Sequence, residues 1–251
     1  MAQTGFAENN WKSLYRIGGW SALICAAMYL LASAIYIPAN LAGPPPGNVL
    51  EWFTLFQDHA LSGLFFLGLA DIAIMLLWGP LSLALYNLLK QANRTWTLIA
   101  TGFVFVGMAV FLSTNTAFPM LSLSRQYAVA ITEAEKSALL AAGRALIAIS
   151  EGNYWGMPLV WLGGLILSVV MLRSTVFGKA AAWVGILGMA LLLLSVPFAG
   201  YTTTGPMTAA VSAIVAISYA GGGLLSLAWY ILIGLKLVRL AQLPELVERP
   251  T

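Results

Sequence analysis

Residues 60–90 read ALSGLFFLGLADIAIMLLWGPLSLALYNLLK, and this stretch decides the fold class. A hydrocarbon core ~30 Å thick requires ~20 apolar residues in a helix, so the stretch is long enough to cross a bilayer. Its one carboxylate, Asp71, falls near the middle of the predicted membrane layer, and no other predicted span contains an acidic residue. The Gly79-Pro80 pair predicts a break in this helix, because proline has no N–H to donate to the preceding turn.

The composition of the whole chain extends this interpretation. Of the 251 residues, 60% are hydrophobic and only 8% are charged, whereas about 25% are charged in soluble domains. The mean hydropathy is +0.87. A soluble domain of this size cannot bury so much apolar surface, so lipid must cover part of it.

Further apolar runs on both sides of residues 60–90 predict more membrane spans. The expected fold class is all-α, a polytopic transmembrane helical bundle of about six spans. The whole chain, residues 1–251, is expected to form a single integral membrane domain. The predicted spans are about 14–37, 60–90, 95–118, 153–172, 180–200 and 208–235.

The first two outer loops each predict an amphipathic helix. Residues 48–59, NVLEWFTLFQDH, place apolar side chains at helical spacing after Asn48, a residue type that caps helix starts. In the second loop, Thr132 and Glu135 have the spacing of a capping box, which marks a helix start. Charges within this second helix argue against a seventh span and favour a helix that packs at the membrane surface or caps the bundle.

The basic residues predict the orientation. The net charge is +3, and nine of the twelve Lys and Arg residues fall on the side of the two termini. The positive-inside rule therefore predicts a multi-pass protein of the cell (inner) membrane with both termini in the cytoplasm. Topology explains the basic charge better than nucleic acid does, so no nucleic-acid partner is expected. The nine residues are Lys12, Arg16, Lys90, Arg94, Arg173, Lys179, Lys236, Arg239 and Arg249.

Four segments carry a resemblance to a known family. They read RIGGWSALICAAMYLL (16–31), LADIAIMLLWGPLSLALYNLLKQANRTWTLIATGF (69–103), EAEKSALLAA (133–142) and VFGKAAAWVGILGMALLLL (176–194). In this order the chain resembles the bacterial membrane family called domain of unknown function 4386, over roughly residues 14–200. The resemblance implies a multi-spanning helical fold. It carries over no reaction and no catalytic residues.

Asp71 is the first candidate functional residue. An Asp at a helix centre costs ~2.5–3.5 kcal/mol on insertion scales, so its side chain is expected to face the bundle and find a donor. Residues at similar predicted depth are Tyr29, Ser218 and Tyr219. One interpretation is a buried Asp that holds helices together through hydrogen bonds to these groups. The other is a carboxylate that binds a proton or a cation in a transport path.

A second set of polar residues falls at the outer helix ends. Together they predict an outer vestibule, and the alternative is a set of ordinary solvated helix ends. The neighbouring Asp58 and His59 do not by themselves provide the geometry of a catalytic triad. The set comprises Asp58, His59, Asn115, Glu151 and Asn153.

The sequence contains no recognisable reaction motif or cofactor signature. It has one Cys and one His, which excludes a bis-His haem site and makes a zinc site implausible, and it has no nucleotide-binding loop. Three functions stay open. The first is an accessory or structural subunit, or an assembly factor, of a membrane complex. The second is a small transporter or channel that uses Asp71, and the third is a membrane enzyme acting on an apolar substrate. Expected partners are the lipid bilayer and other membrane subunits or further copies of this chain.

Overall fold

The computed structural model describes residues 2–42, 46–153, 155–198 and 209–242. These residues form helices and no strand, so the fold class is all-α, as the sequence predicts. The elements are α1 (Ala2–Ala42), α2 (Val49–Asp58), α3 (Ala60–Phe66), α4 (Leu69–Thr114), α5 (Ala117–Val129), α6 (Glu133–Asn153), α7 (Gly156–Met171), α8 (Lys179–Ser195), a short 3₁₀ helix (Val196–Phe198) and α9 (Ala209–Gln242).

Helix α4 consists of two arms joined at Asn93. This residue has φ −161° and ψ 100°, outside the helical region. Its side-chain oxygen accepts a hydrogen bond from the N–H of Trp96 at 3.1 Å, so Asn93 caps the start of the second arm. Each arm, 69–92 and 94–114, reaches the ~20 residues that a bilayer requires. The interval between the predicted spans 60–90 and 95–118 contains this asparagine.

Long apolar helices make this a membrane protein. Three stretches are long and apolar enough to cross a membrane: Trp11–Ile35, Leu69–Val129 and Ala213–Gln242. Helices α7 and α8 are shorter apolar helices. With the two arms of α4 counted separately, these helices match the order of the six predicted spans, and the number of spans stays a prediction.

The helix break in residues 60–90 is not at Gly79-Pro80, so that prediction is wrong. Pro80 lies inside α4, which continues through it. Membrane helices tolerate an internal proline when neighbouring groups compensate for the lost hydrogen bond. The carbonyl that loses its donor to Pro80 is that of Leu76, and the Ser82 hydroxyl makes a separate hydrogen bond to the Gly79 carbonyl at 2.9 Å. The break lies earlier, between the end of α3 at Phe66 and the start of α4 at Leu69.

Both predicted amphipathic helices form with the predicted caps. The Asn48 side chain accepts from the N–H of Glu51 at 3.0 Å at the start of α2. At the start of α6, the Thr132 hydroxyl accepts from the N–H of Glu135 at 3.2 Å, and the Glu135 carboxylate accepts from the N–H of Thr132 at 3.1 Å. This reciprocal pair is the predicted capping box.

The contacts divide the chain into two compact units, and the single integral membrane domain expected over residues 1–251 stays a prediction. Unit one comprises Met1–Ala26, Leu77–Val104 and Trp161–Thr251, and unit two comprises Ala27–Leu76 and Phe105–Val160. The units interleave along the chain because α1, α4 and α7 each contribute to both. Hydropathy cannot predict this division, since it reports which residues avoid water and not which helices pack together.

Unit one has an aromatic core. Trp78 and Trp229 stack with ring centroids 5.7 Å apart and an interplanar angle of 19°. The indole N–H of Trp78 donates to the Tyr230 hydroxyl at 2.9 Å. All three side chains are buried, so the polar ends of Trp78 and Tyr230 satisfy each other inside the apolar packing.

Unit two has its own hydrophobic cluster, which α2 and α5 form. Val49, Trp52, Phe53 and Phe56 form the buried face of α2, and Met120 of α5 packs with them. The Ser124 hydroxyl donates to the Phe53 carbonyl at 2.8 Å. The apolar face of α2 is therefore buried against α5 and the residues around it, which fixes the chain segment that leads into α3.

Candidate functional site

Asp71 lies in the first turn of α4, directly after the helix break. The Leu67 N–H donates to the Gly63 carbonyl at 3.1 Å and ends α3. Gly68 then adopts φ 89° and ψ 31°, the left-handed conformation. The Ile72 N–H donates back to the Gly68 carbonyl at 3.0 Å and begins α4. Asp71 is thus three residues beyond the helix cap, rather than in the middle of one continuous helix.

Glycine at position 68 makes this break possible. A residue with a Cβ pays roughly 1–2 kcal/mol for the left-handed conformation, and glycine does not. The break also orients the backbone dipoles. The first N–H groups of α4 have no partners within the helix, and they give its start a partial positive charge that favours a carboxylate by ~0.3–1 kcal/mol.

Asn115 connects this break to the far end of α4. Its side-chain NH₂ donates to the Leu67 carbonyl at 3.0 Å, and its side-chain oxygen accepts from the N–H of Ala117 at 3.1 Å. The same NH₂ nitrogen and the Asp71 Oδ2 each lie 3.4 Å from the point where a Cβ on Gly68 would sit, and the Phe111 ring lies 3.6 Å from it. Asn115 therefore brings a polar side chain next to Asp71.

The Asp71 carboxylate has no hydrogen-bond partner among the residues that the structure describes. Its side chain is partly buried. Tyr29 of α1 lies close enough for its phenol to interact electrostatically with the carboxylate. We call Tyr29, Gly68, Asp71, Phe111 and Asn115 the Asp71 cluster, and all five belong to unit two. A purely structural role predicts hydrogen bonds from Tyr or Ser to Asp71, and the described residues form none with this carboxylate.

Two further residues predicted for this site are Ser218 and Tyr219. Ser218 and Tyr219 belong to unit one, on α9. The Ser218 side chain is buried, whereas Tyr219 is 37% exposed. Their assignment to the Asp71 site stays a prediction.

The residues predicted to line an outer vestibule have different environments. Asp58 and His59 are exposed at the junction of α2 and α3, where His59 ends one helix and begins the next. Asn115 is partly buried in the Asp71 cluster. The backbones of Glu151 and Asn153 lie in α6, and their side chains are outside the described residues. The vestibule stays a prediction.

Sequence reasoning did not connect Asn115 to Asp71, although a signal was present. Asp71 and Asn115 are equally far in sequence from Asn93, and a hairpin that turns at Asn93 brings such positions to the same level. Asn93 has the residue type of a helix cap, so its turn was readable. No such signal indicated that Asn115 donates to the Leu67 carbonyl, because every residue carries a carbonyl.

The chemistry of the Asp71 cluster suits a proton or a small cation. Its oxygen groups are the Asp71 carboxylate, the Tyr29 hydroxyl and the Asn115 side-chain oxygen, and the Leu67 carbonyl that Asn115 contacts keeps a second lone pair. Among the described residues, no group of three or more His, Cys, Asp and Glu side chains is placed to hold a metal ion. Next to Asn115 in the chain, the buried Thr116 hydroxyl has no hydrogen-bond partner among the described residues.

These features define the class of the protein: an all-α membrane protein with a carboxylate at an interrupted helix. The family described as Domain of unknown function (DUF4386) matches residues 17–234, and the chain belongs to this family. The family predicted from the sequence is thus confirmed. No curated protein and no solved structure matches the chain.

Proposed function

We propose that the protein is a small membrane transporter that binds a proton or a monovalent cation at Asp71. The observation that carries this proposal is the carboxylate at an interrupted helix, with no hydrogen-bond partner in the described part of the chain. Transporters commonly build their binding sites from discontinuous helices, where helix ends and unwound carbonyls contact the substrate or the coupling ion. An ionisable residue within a membrane span is a functional candidate for the same reason.

The surroundings of Asp71 support reversible binding. Adding a proton or a cation neutralises the carboxylate, and removing it leaves a charge that the start of α4 favours. The carboxylate has no basic partner in the cluster, so its charge is available to a ligand. Asn115 holds the Leu67 carbonyl at the helix break that precedes Asp71.

The orientation of the protein in the membrane is part of the same proposal. The basic residues between spans and near the termini favour a cell-membrane protein with both termini in the cytoplasm. In that orientation the α2–α3 junction lies toward the outer surface. A ligand reaching Asp71 from outside would pass the ends of α3 and α4 that meet at Gly68.

Proteoliposomes test the proposal directly. Purified protein is reconstituted into vesicles containing the pH dye pyranine, and a potassium diffusion potential is imposed with valinomycin in sodium-free and sodium-containing buffers. The wild type is expected to change the internal pH in at least one buffer. Asp71→Asn is expected to fall to the rate of empty vesicles, since the amide cannot ionise. Glu133→Gln, at an exposed acid of the same unit that is not in the predicted vestibule, is the matched control and is expected to retain the wild-type rate.

Two outcomes would overturn the proposal. The first is a folded Asp71→Asn variant that moves protons as fast as the wild type. The second is a wild type without flux in either buffer. Circular dichroism and a monodisperse elution profile establish that each variant is folded.

A second candidate function is an accessory subunit of a membrane complex. It is favoured by the apolar turn between α5 and α6, where Val129 is 77% and Ile131 is 88% exposed. Exposed glycines give the accessory-subunit function less support, because an added Cβ would meet a neighbour within 4 Å at most described glycines, with Gly102 and Gly178 as the open positions named. A stoichiometric protein that co-purifies with a flux-free wild type would replace the transporter proposal with this one.

A further inference from the structure

A surface groove in unit one joins the turn at Asn93 to the end of α7. It has a volume of about 270 Å³. Its walls are apolar side chains, Trp96 from the second arm of α4 and Leu165, Ile166, Val169 and Val170 from α7. Asn93 and Arg173 supply its polar lining. Val169 and Trp96 are 46% and 53% exposed, so the groove opens on the surface of the unit.

The charged side chain that lines this groove is basic, and the sequence segments that supply the lining carry basic residues only. Segments 77–104 and 161–242 contain no Asp or Glu, whereas they carry Lys90, Arg94, Arg173, Lys179, Lys236 and Arg239. Arg173 is exposed, and no carboxylate pairs with it or with Arg94 in the part of the chain that the structure describes. The guanidinium that lines the groove therefore has no carboxylate partner among the described residues.

We propose that this groove binds an anionic phospholipid of the surrounding bilayer. The phosphate group contacts the Arg173 guanidinium, whose planar set of donors matches phosphate oxygens. One acyl chain lies along Leu165, Ile166 and Val169, and Trp96 lies at the boundary between headgroup and chain, where tryptophan is enriched in membrane proteins. Basic pockets between transmembrane helices on the cytoplasmic side are known to hold acidic headgroups.

The size of the groove agrees with this occupant. Sites that enclose a drug-sized ligand measure roughly 300–1,000 Å³, so a groove of about 270 Å³ holds part of one acyl chain beside a headgroup and not an enclosed small molecule. The remaining lipid stays in the bilayer, which is why the groove can be open along the surface.

Lipid titration of the purified full chain, followed by native mass spectrometry, tests the proposal. The probes are dioleoyl phosphatidylglycerol, which is anionic, and dioleoyl phosphatidylethanolamine, which is zwitterionic. The wild type is expected to bind phosphatidylglycerol more tightly. Arg173→Gln is expected to weaken phosphatidylglycerol binding about fivefold, the worth of one basic residue near an anionic lipid. Val169→Trp, which fills the apolar wall, is expected to weaken the binding of both lipids.

Lys179→Gln is the matched control, because Lys179 is an exposed cation of the same inner turn that does not line the groove. It is expected to change phosphatidylglycerol binding less than Arg173→Gln does. Equal effects of the two variants would overturn the proposal, because a diffuse surface charge would then explain the binding. Equal affinity of the wild type for the two lipids would also overturn it. So would a dimer that Val169→Trp abolishes, since a second chain would then occupy the groove.

Discussion

Replacing Gly107 with alanine tests the packing that supports the Asp71 cluster. Gly107 lies in the second arm of α4, and it contacts Gly156 at the start of α7. A Cβ on Gly107 would lie 2.6 Å from the Gly156 carbonyl oxygen and 2.9 Å from the backbone nitrogen of Val160. Gly156 in turn packs on Phe111, whose Cβ would lie 2.7 Å from a Cβ added to Gly156. Phe111 is a member of the Asp71 cluster, so this contact positions its aromatic ring.

The magnitude follows from which atoms the added methyl meets. Most of them belong to the backbone, and a backbone atom cannot rotate out of the way as a side chain can. The two helices must therefore separate by several tenths of an ångström. Overpacking of this kind costs ~1–3 kcal/mol. Alanine also has a helix propensity about 1 kcal/mol better than that of glycine, which offsets part of the cost.

Gly102→Ala removes the propensity term from the comparison. Gly102 lies in the same arm, and a Cβ there would have no neighbour within 4 Å. Both variants gain the same helix propensity, so the difference between them isolates the packing. Gly107→Ala is expected to be less stable than Gly102→Ala by ~1–3 kcal/mol.

The assay is reversible unfolding in mixed detergent micelles, with increasing SDS and far-ultraviolet circular dichroism as the signal. The free energy of unfolding of each variant is compared with that of the wild type. Equal stability of Gly107→Ala and Gly102→Ala would refute the reasoning, because it would mean that α4 and α7 do not approach as closely as the structure shows.

Two further predictions concern the helix break and the capping box. Gly68→Ala is expected to lower the free energy of unfolding by ~1–2 kcal/mol, because alanine is strained at φ 89°; Gly68→Asn, which tolerates this conformation better, is expected to lose less, and an equal loss would argue against conformational strain. Glu135 accepts hydrogen bonds from the backbone N–H and the side chain of Thr132 and from the N–H of Ile131, which lower its pKa from the usual 4.5. Its contribution to stability is therefore present above the unfolded pKa and is lost as the pH falls through the lower folded pKa. A thermal unfolding series from neutral to acidic pH is expected to show a smaller decrease in Tm for Glu135→Gln than for the wild type. Identical decreases in Tm would contradict a stabilising role for the Glu135 carboxylate. Glu133→Gln, at an exposed acid in the same helical turn, is the control.

The sequence by itself determined the fold class, the family and the local signals. Length and apolar content require membrane helices because lipid is the only solvent that can cover so much hydrocarbon. The caps at Asn48 and Thr132 were predictable because a cap depends on residues three positions apart, as the hydrogen bonds of both confirm. Asp71 was recognisable as a candidate because it is the one acid within a predicted span.

Only the tertiary structure decided where the helix breaks and what surrounds Asp71. The sequence favoured Pro80, whereas the break is at Gly68, because glycine is the residue that takes the left-handed conformation without strain. The amide of Asn115 that holds the Leu67 carbonyl comes from the far end of α4. The division into two interleaved units is likewise decided by contacts between distant segments. Such contacts depend on the packing of side chains across helices, and in a chain whose spans are nearly all apolar the hydropathy pattern carries almost no information about which faces meet.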